Sequence, residues 1–399
     1  MIDRVKRFAN QNKACYYLVY AMFRLYGVFF SVLCFVMRIF PIKQNKIVCC
    51  NMKGKRYGDN PKYIVDEILK QGLEYDIVWL MKSKTDAEVP EQLRVAAYNP
   101  FSLAYELATA KIWIDSNTKP LGLLKRKGQY YIQTWHGSYG LKKMYGDIPD
   151  KINLFDKCNI QYNSKIQDLF VSNSDFYSEI YRRAFWYNGE ILQCGSPRND
   201  IFFTENELCL KRVQDYFHTE GKHMALYAPT YRNNFGTDAY RLDFERLRLN
   251  LEKRFGGDWV ILVRLHPHNM MDAEAFLTYD DKIINATSYS VMQELLVACD
   301  VLISDYSSCM FDFVTTKKPC FMYASDAAQY KDEHDFYFDV YKLPFPLAEN
   351  NDEMEQRVLG FEEDQYQTDL QAMFERVGLC EDGTACKQVV EWIKAKQSL

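Results

Sequence analysis

The sequence predicts an α/β protein built from two doubly wound, Rossmann-like domains that face a cleft, with an apolar helical segment in front of them. Short apolar runs alternate with helical stretches, which is typical of parallel sheets with helical crossovers. The alternation pauses near residue 200 and restarts, and 399 residues are enough for two or three domains. We divide the chain into a helical segment at 1–44, a first domain at 45–200 and a second domain at 201–399, whose last helix is a candidate for crossing back to the first domain.

The helical segment is the membrane candidate. Residues 15–40 are almost entirely apolar, with Arg24 and Arg38 as interruptions, and the longest uninterrupted run is 25–37. That run is shorter than the ~20 residues that span a bilayer, and it leads into Pro41 rather than into a small-residue cleavage site. We expect one or two helices lying in the membrane surface, with basic side chains at the lipid headgroups. A helix pair packed on the body and a spanning helix are the alternatives.

The first domain begins after Pro41, which ends the helical segment. Buried strands are expected where apolar residues run for four to six positions, and Pro61 suits the first turn of a helix. The predicted elements are a strand at 47–51, a helix at 61–70, strands at 76–81, 111–115 and 130–135, and a helix at 101–110. The Gly- and Pro-containing turn at 193–200 is the predicted interdomain segment.

The second domain repeats the alternation. Its predicted elements are helices at 205–219, 240–255 and 291–299, and strands at 224–228, 259–265, 301–304 and 320–323. Carboxyl ends of parallel strands meet at one edge of a sheet, so the residues that follow these strands are expected to lie together.

Composition narrows the functional class. Twelve cysteines form no CxxC pair, which favours reduced, buried thiols over disulfides or a zinc site. The net charge is −4, but it is unevenly distributed along the chain. Residues 1–60 are basic, with 11 Lys and Arg against 2 Asp and Glu, so the rest of the protein is acidic. Nucleic acid is therefore not an expected partner. A homo-oligomer is left open.

A histidine at a strand end is the leading catalytic candidate. The predicted strand 130–135 runs into His136 and Gly137, which places an imidazole at the ligand-binding edge of a sheet. Histidine is the side chain best suited to proton transfer near neutral pH. A core histidine at a strand end is the alternative. Ser138 and Lys142 follow closely and are candidate contacts to the substrates, either the donor or the acceptor of a transferred group.

Cationic and hydroxyl side chains follow three strands of the second domain. These candidates for binding a pyrophosphate are Arg232, Arg264, His266, Asp305, Ser307 and Ser308. Ser307 and Ser308 precede a helix predicted near Met310, where unpaired N–H groups favour anions. Helix capping by Asp305 and Ser307, a structural His266 and a surface ion pair of Arg232 are the alternatives.

Several nucleotide-binding signatures are absent from the sequence. There is no GxxxxGK[ST] loop, no GxGxxG after the first strand, no GxSxG elbow and no Asp-x-Asp pair. We expect no cofactor and no metal, so that protein groups neutralise the charge of a leaving group.

Eight segments between about residue 40 and 350 form a recognisable set. They are Pro41-Ile42-Lys43 through Ile47-Val48, Tyr57-Gly58-Asp59-Asn60-Pro61-Lys62-Tyr63, Gln133-Thr134-Trp135-His136-Gly137, Gly195-Ser196-Pro197-Arg198-Asn199-Asp200, Tyr227-Ala228-Pro229-Thr230-Tyr231-Arg232, Arg264-Leu265-His266-Pro267, Ser304-Asp305-Tyr306-Ser307-Ser308 and Phe336-Tyr337-Phe338-Asp339. In this consistent order, they resemble the CDP-glycerol glycerophosphotransferase family of teichoic acid primases and polymerases. The resemblance implies a GT-B fold with an acceptor-side first domain and a nucleotide-side second domain. It also implies peripheral attachment to the cytoplasmic face of the cell membrane.

The resemblance further implies a reaction, in which an acceptor hydroxyl attacks the β-phosphorus of CDP-glycerol and CMP leaves. His136 would be the general base, and His266 would stabilise the pyrophosphate or protonate the leaving phosphate. The residues expected to hold the developing charge are Arg232, Arg264, Ser307 and Ser308, with Asp305 positioning His266 or binding glycerol. Arg198 and Asn199 would orient donor or acceptor.

The acceptor itself is open between an undecaprenyl-type lipid-linked glycan and an oligomeric glycan, as in teichoic acid or capsule synthesis. A CDP-ribitol transferase, a GT-B glycosyltransferase that uses a nucleotide sugar, and a non-catalytic scaffold are the rival functions. Two departures from the family pattern lie at Ser138-Tyr139-Gly140, where Thr-Pro-Leu-Lys is common, and at His334-Asp335, where an arginine is common.

Overall fold

The computed structural model describes residues 13–83, 89–137, 140–231, 240–265, 278–327, 330 and 335–397, and the structural statements below concern these residues. Two parallel sheets lie one after the other along the chain, which confirms the predicted α/β class. The helices of the described residues are α1 Lys13–Val36, α2 Asp59–Lys70, α3 Pro100–Thr109, α4 Leu154–Ile166, α5 Asp175–Arg183, α6 Ile201–Thr204, α7 Asn206–Phe217, α8 Phe244–Phe255, α9 Met292–Ala298, α10 Cys309–Phe313, α11 Asn351–Leu359, α12 Glu363–Val377 and α13 Ala385–Gln397.

The first sheet has the strand order β3-β2-β1-β4-β5-β6-β7, and all of its strand pairs are parallel. Its strands are β1 Lys43–Cys50, β2 Asp76–Met81, β3 Arg94–Ala97, β4 Ala110–Asp115, β5 Tyr130–Gln133, β6 Leu169–Ser172 and β7 Glu190–Gln193. In the central register, Val48 of β1 lies between Val78 and Trp113. The order reverses direction at β1 and β4, which is the point where doubly wound sheets bind ligands.

The second sheet repeats this arrangement with the order β10-β9-β8-β11-β12-β13, again entirely parallel. Its strands are β8 His223–Tyr227, β9 Trp259–Val263, β10 Ile283–Asn285, β11 Val301–Ser304, β12 Cys320–Tyr323 and β13 Leu347–Ala348. Leu302 of β11 lies between Leu226 and Cys320. The ends of β8, β9 and β11 therefore emerge on one edge, as the sequence predicts.

The central strands are buried on both faces because their alternate side chains enter two separate cores. Ile47 and Cys49 of β1 face one core, which α2 and the last helix α13 cover. Val48 and Cys50 face the other core, which α1 and α3 cover. The last helix thus packs on the first sheet although it follows the second sheet in the chain.

Helix α1 packs on the first domain along one side and leaves its other side exposed. Gly27, Phe30 and Cys34 are buried against the body. At the closest approach, the Ser31 hydroxyl lies 2.9 Å from the Gly27 carbonyl oxygen and 2.8 Å from that of Gly122. Large apolar side chains cover the remaining surface, including Leu18, Leu25, Val28, Val32 and Phe35, each at least 57% exposed. Within the described residues this is the one helix long and apolar enough to cross a membrane.

The short strands β3, β6, β7, β10 and β13 are absent from the sequence-based prediction. They have only two to four residues each, so they carry too little periodicity to be recognised. The predicted strand 130–135 also ends earlier, at Gln133, because Trp135 has a left-handed backbone with φ of 53°. All twelve cysteines are free thiols, as expected.

We expect Gly122→Ala to weaken the attachment of α1. Gly122 has φ of 89°, and a Cβ there would lie 1.9 Å from the Gly27 carbonyl oxygen. Gly128→Ala is the matched control, because Gly128 has φ of 85° but no atom within 4 Å of its Cβ position. In urea unfolding, the Gly122 variant should lose about 1–3 kcal/mol more than the control, the usual cost of overpacking. Equal losses would show that the close contact contributes nothing.

Candidate functional site

His136 lies three residues after the end of β5, at the carboxyl edge of the first sheet. Its Nδ1 lies 2.6 Å from the carbonyl oxygen of Ser116, which follows the neighbouring strand β4. A carbonyl only accepts hydrogen bonds, so Nδ1 carries the proton of the neutral ring. Nε2 is then left as the proton acceptor, which is the form that a general base requires.

The surroundings of His136 favour its neutral form. The ring packs against the Trp135 indole, with centroids 4.3 Å apart and an angle of 31° between the planes. Burial lowers the pKa of His136, and the hydrogen bond to Ser116 and the charge of Asp59 oppose this only in part. The left-handed backbone of Trp135 turns the chain so that His136 leaves the line of the strand.

Asn60, at the start of α2, holds this turn in place. Its side-chain Nδ2 donates to the carbonyl oxygens of Trp135 at 3.1 Å and Thr134 at 3.3 Å. Its Oδ1 accepts from the backbone N–H of Arg198 at 3.0 Å. One buried amide therefore connects the β1–α2 loop, the His136 turn and the interdomain segment.

Arg198 joins the two domains. Its Nη1 donates to Asp59 at 2.9 Å and to the carbonyl oxygen of His136 at 2.8 Å, both in the first domain. Its Nη2 donates to Asp312 of α10 at 2.7 Å, in the second domain. Burial alone would lower the pKa of Arg198, but the charges of Asp312 and Asp59 raise it above its ordinary value. The guanidinium is thus a permanent charge in a buried junction.

Asn199 extends the same junction toward the end of the chain. Its Nδ2 donates to Asp312 at 3.2 Å and to Glu381 at 2.9 Å. Glu381 also accepts from Asn173 and from the Ser196 backbone, both at 3.1 Å. Burial raises the pKa of Glu381 to about 7. The predicted contacts Arg198 and Asn199 therefore have protein partners in the described residues and lie behind the cleft edge rather than on its surface.

Asp305, Ser307 and Ser308 occupy the loop between β11 and α10. Asp305 accepts from the Thr230 backbone at 2.8 Å, from the Thr230 hydroxyl at 2.6 Å and from the Tyr306 backbone at 2.6 Å. It thereby ties the end of β8 to the end of β11. Ser308 precedes α10 without capping it through its side chain, and both serines are partly exposed. The Ser307 hydroxyl accepts from the Cys309 backbone N–H at 3.4 Å, the capping contact expected as an alternative, and both hydroxyls lie at the edge where the strands end.

Arg264, one residue beyond β9, has an arginine neighbour from the first domain. Its Nη1 donates to the carbonyl oxygen of Tyr289, while Arg56 donates to that of Ser290 at 3.3 Å. Burial, with Arg56 adding to it, lowers the pKa of Arg264 to about 10. Among the ion pairs of the described residues, neither arginine has a carboxylate partner. Two adjacent cations from opposite domains are suited to binding one polyanion.

Lys142 lies on a second bridge between the domains. Residues 141–144 run antiparallel to residues 335–337, with Tyr337 N–H donating to Leu141 O at 2.7 Å and Lys143 N–H donating to Asp335 O at 2.8 Å. The Lys142 ammonium lies 5.1 Å from the centroid of the Tyr330 ring, which stacks on Tyr306. Lys142 is thus brought from the His136 loop to the neighbourhood of the Asp305–Ser308 loop.

Three of the predicted site residues, His266, Arg232 and Ser138, lie outside the described residues, as does His334. The described residues contain no cluster of three or more His, Cys, Asp or Glu that could hold a metal ion.

Sequence reasoning assigned no role to Ser116, Asn60, Asp59, Asp312, Glu381 or Arg56. Asp59 and Asn60 belong to a segment that carries the family resemblance, so a signal for them was present. Ser116 acts through its backbone carbonyl, which no side-chain pattern reveals. Arg56 and Asp312 acquire their partners only when the two domains come together.

Two parallel sheets joined at a buried arginine, with a neutral histidine at the edge of one sheet and Arg264, Ser307 and Ser308 at the edge of the other, define a GT-B-type protein. The solved wall teichoic acid polymerase TagF has this architecture: it aligns with a TM-score of 0.80 and 27% identity over 94% of this chain and 97% of that chain. The chain belongs to the CDP-glycerol:poly(glycerophosphate) glycerophosphotransferase family, whose model matches residues 32–395.

Two curated relatives are each 30% identical over 88% of this chain. One is a teichoic acid poly(glycerol phosphate) polymerase of Staphylococcus epidermidis, of which the chain spans 51%. The other is a teichoic acid glycerol-phosphate transferase of Staphylococcus aureus, of which it spans 93%. The chain thus spans about half the length of the first relative and nearly all of the second.

We expect Asp312→Ala to destabilise the domain junction. Removing one partner from a buried ion pair leaves an uncompensated charge, which usually costs about 3–5 kcal/mol. Asp215→Ala is the control, because the Asp215–Lys211 pair is exposed and such pairs contribute less than about 1 kcal/mol. Urea unfolding of both variants measures the difference. A loss in the Asp312 variant no larger than in the control would show that the Arg198 bridge does not stabilise the junction.

Proposed function

We propose that this chain transfers glycerol phosphate from CDP-glycerol to a hydroxyl group of a teichoic acid acceptor and releases CMP. Membership of the family supports this activity. The observation that carries it is the contact sequence from His136 through Arg198 to Asp312, which links a neutral imidazole in one domain to the Ser307–Ser308 loop in the other.

The proposed reaction begins with Nε2 of His136 accepting the proton of the acceptor hydroxyl. The hydroxyl oxygen forms a bond to the β-phosphorus of CDP-glycerol, and the bond from that phosphorus to the bridging oxygen breaks. CMP leaves with the bonding electrons and takes up a proton. Ser116 holds the ring in the tautomer that accepts at Nε2, so it is a positioning residue.

The second domain binds the donor in this proposal. Arg264 and the Ser307 and Ser308 hydroxyls contact the pyrophosphate, and Arg56 of the first domain joins them when the cleft is occupied. Arg232 keeps its proposed role as a further donor contact, and His266 keeps its proposed catalytic role of stabilising the pyrophosphate or protonating the leaving phosphate. Positive charge from these side chains neutralises the leaving group, so the transfer proceeds without a metal or another cofactor.

The same proposal includes peripheral attachment to the cytoplasmic face of the membrane through α1. The exposed apolar side of α1 suits burial among lipid chains, while Arg24 and Arg38 suit the headgroups. A spanning orientation would require Phe30 and Cys34 of α1 to leave the core of the first domain and would break the hydrogen bond from Ser31 to Gly122. We therefore favour a helix lying in the interface and packed on the body, serving an acceptor that is lipid-linked.

Release of CMP with a panel of donors tests the activity directly. We expect turnover with CDP-glycerol and an oligomeric glycerol-phosphate or lipid-linked acceptor, and slower or no turnover with CDP-ribitol and nucleotide sugars. Turnover should persist in excess EDTA. A preference for a nucleotide sugar would overturn the proposal, and loss of CMP release in EDTA would overturn its metal-free form.

His136→Gln should lower kcat by roughly 10²- to 10⁴-fold, the usual contribution of a general base, while CDP-glycerol binding measured by calorimetry stays close to wild type. In the wild type, burial lowers the pKa of His136. The neutral ring therefore persists as the pH falls, and kcat should decline only below about pH 6.5, the ordinary histidine value. The residual activity of the variant should lack this acid limb.

His223→Gln is the matched control. His223 is half exposed and begins β8, so it lies at the opposite edge of the second sheet from the site. Its replacement should leave kcat and the pH profile unchanged. Retention of kcat within a few-fold in His136→Gln would show that another group removes the proton.

A further inference from the structure

A groove of about 1010 Å³ lies between α1 and α4. Its floor is formed where Gly27 of α1 meets Leu121 and Gly122 of the body, and its lining is mostly apolar. Leu25 and Val28 form its outer wall and also belong to the exposed apolar side of α1. The groove is therefore continuous with the surface proposed to enter the membrane.

The rim of the groove is basic. Lys157 and Lys165 lie two helical turns apart on one face of α4, with Gln161 between them, and Arg24 lies opposite on α1. All three cations are exposed, and none of them has a carboxylate partner among the ion pairs of the described residues. Arg24 donates to the Cys158 Sγ at 3.1 Å. An apolar channel with cations at its edge is complementary to a hydrocarbon chain that ends in a phosphate.

The groove is also connected to the catalytic histidine. The loop from Ser116, which holds His136, to Gly122, in the groove floor, has only seven residues and spans at most about 22 Å. Two side chains on the other side of α4 form hydrogen bonds with this loop. Asn159 donates to Thr118 at 2.8 Å, and Asn163 accepts from the Lys119 backbone at 2.8 Å. One helix thus forms the groove and fastens the loop that orients the base.

We infer that this groove binds the lipid of the acceptor: a polyprenyl chain in the apolar channel, with its phosphate or diphosphate at Lys157, Lys165 and Arg24. The inference rests on the proposed transfer to a lipid-linked acceptor. A bilayer phospholipid has the same chemistry but no need to lie near His136, whereas an acceptor must present its hydroxyl there. The groove then determines the side of the first domain from which the membrane-bound acceptor reaches His136.

The test compares two acceptors of one glycan, one carrying a polyprenyl diphosphate and the other a short soluble aglycone, in neutral detergent micelles. The variants are Lys157→Ala with Lys165→Ala, which removes charge, and Gln161→Trp, which fills the groove without changing charge. Lys70→Ala with Lys253→Ala is the matched control, because both lysines are exposed and lie elsewhere. Thermal unfolding of each variant confirms its fold.

Lys157→Ala with Lys165→Ala should raise KM for the lipid-linked acceptor by roughly 10- to 30-fold, the scale expected for losing two cations near a lipid phosphate. Gln161→Trp should raise the same KM because the indole occupies the space of the lipid chain. KM for CDP-glycerol and turnover of the soluble acceptor should equal wild type, and the control pair should change neither. Farnesyl diphosphate should compete only with the lipid-linked acceptor. An unchanged KM, an equal loss with both acceptors, or equal competition by a lysophospholipid would overturn the groove assignment.

Failure of the proposed function gives a different result. If wild-type protein transfers glycerol phosphate to neither acceptor, the proposed activity itself is wrong, and the groove assignment falls with it. If wild type is active on both acceptors and the groove variants match it, only the groove assignment is wrong.

Discussion

The functional arrangement depends on one buried arginine. Arg198 is 6% exposed, yet its two terminal nitrogens bind Asp59, the His136 carbonyl and Asp312. A guanidinium is planar, always charged and able to donate in several directions, so one side chain can connect three chain segments. Because the carboxylate partners of Arg198 belong to different domains, these ion pairs hold the carboxyl edges of the two sheets facing each other. The cost of burying the charge is offset only while both partners are present.

The Arg198 ion pairs explain why the loops that carry His136 and the Ser307–Ser308 pair have defined positions. His136 follows a residue with a left-handed backbone, a conformation that a single strand end would not maintain. Asn60 accepts from the Arg198 backbone and donates to the carbonyl oxygens of Thr134 and Trp135. These hydrogen bonds stabilise the left-handed backbone of Trp135. On the other side, Asp312 lies one turn beyond Ser308 and transmits the same constraint to the serine loop. His136 and the Ser307–Ser308 loop are therefore positioned by a common contact.

Helix α1 gives the molecule a second organising surface. It completes one core of the first sheet through Phe30 and Cys34 while leaving a row of large apolar side chains exposed. Soluble proteins rarely expose a continuous apolar surface of this kind without a partner for it. The basic groove beside α1 and the loop that orients His136 share α4. The exposed side of α1, the basic groove and His136 are therefore neighbouring parts of one domain.

The sequence by itself determined the fold class, the restart near residue 200 and most of the central strands, because apolar runs of this length reflect burial on both faces of a parallel sheet. It also singled out His136, Arg264, Asp305, Ser307 and Ser308, because residues that follow parallel strands share one edge. Only the tertiary structure decided the tautomer of His136, which depends on a backbone carbonyl of the neighbouring strand. It alone placed Arg198 and Asn199 in a buried junction and brought Arg56 beside Arg264. The Arg198, Asn199 and Arg56 contacts join residues more than 60 positions apart, and the His136–Ser116 contact joins residues 20 positions apart at the ends of two strands. Local periodicity carries no information about such pairs.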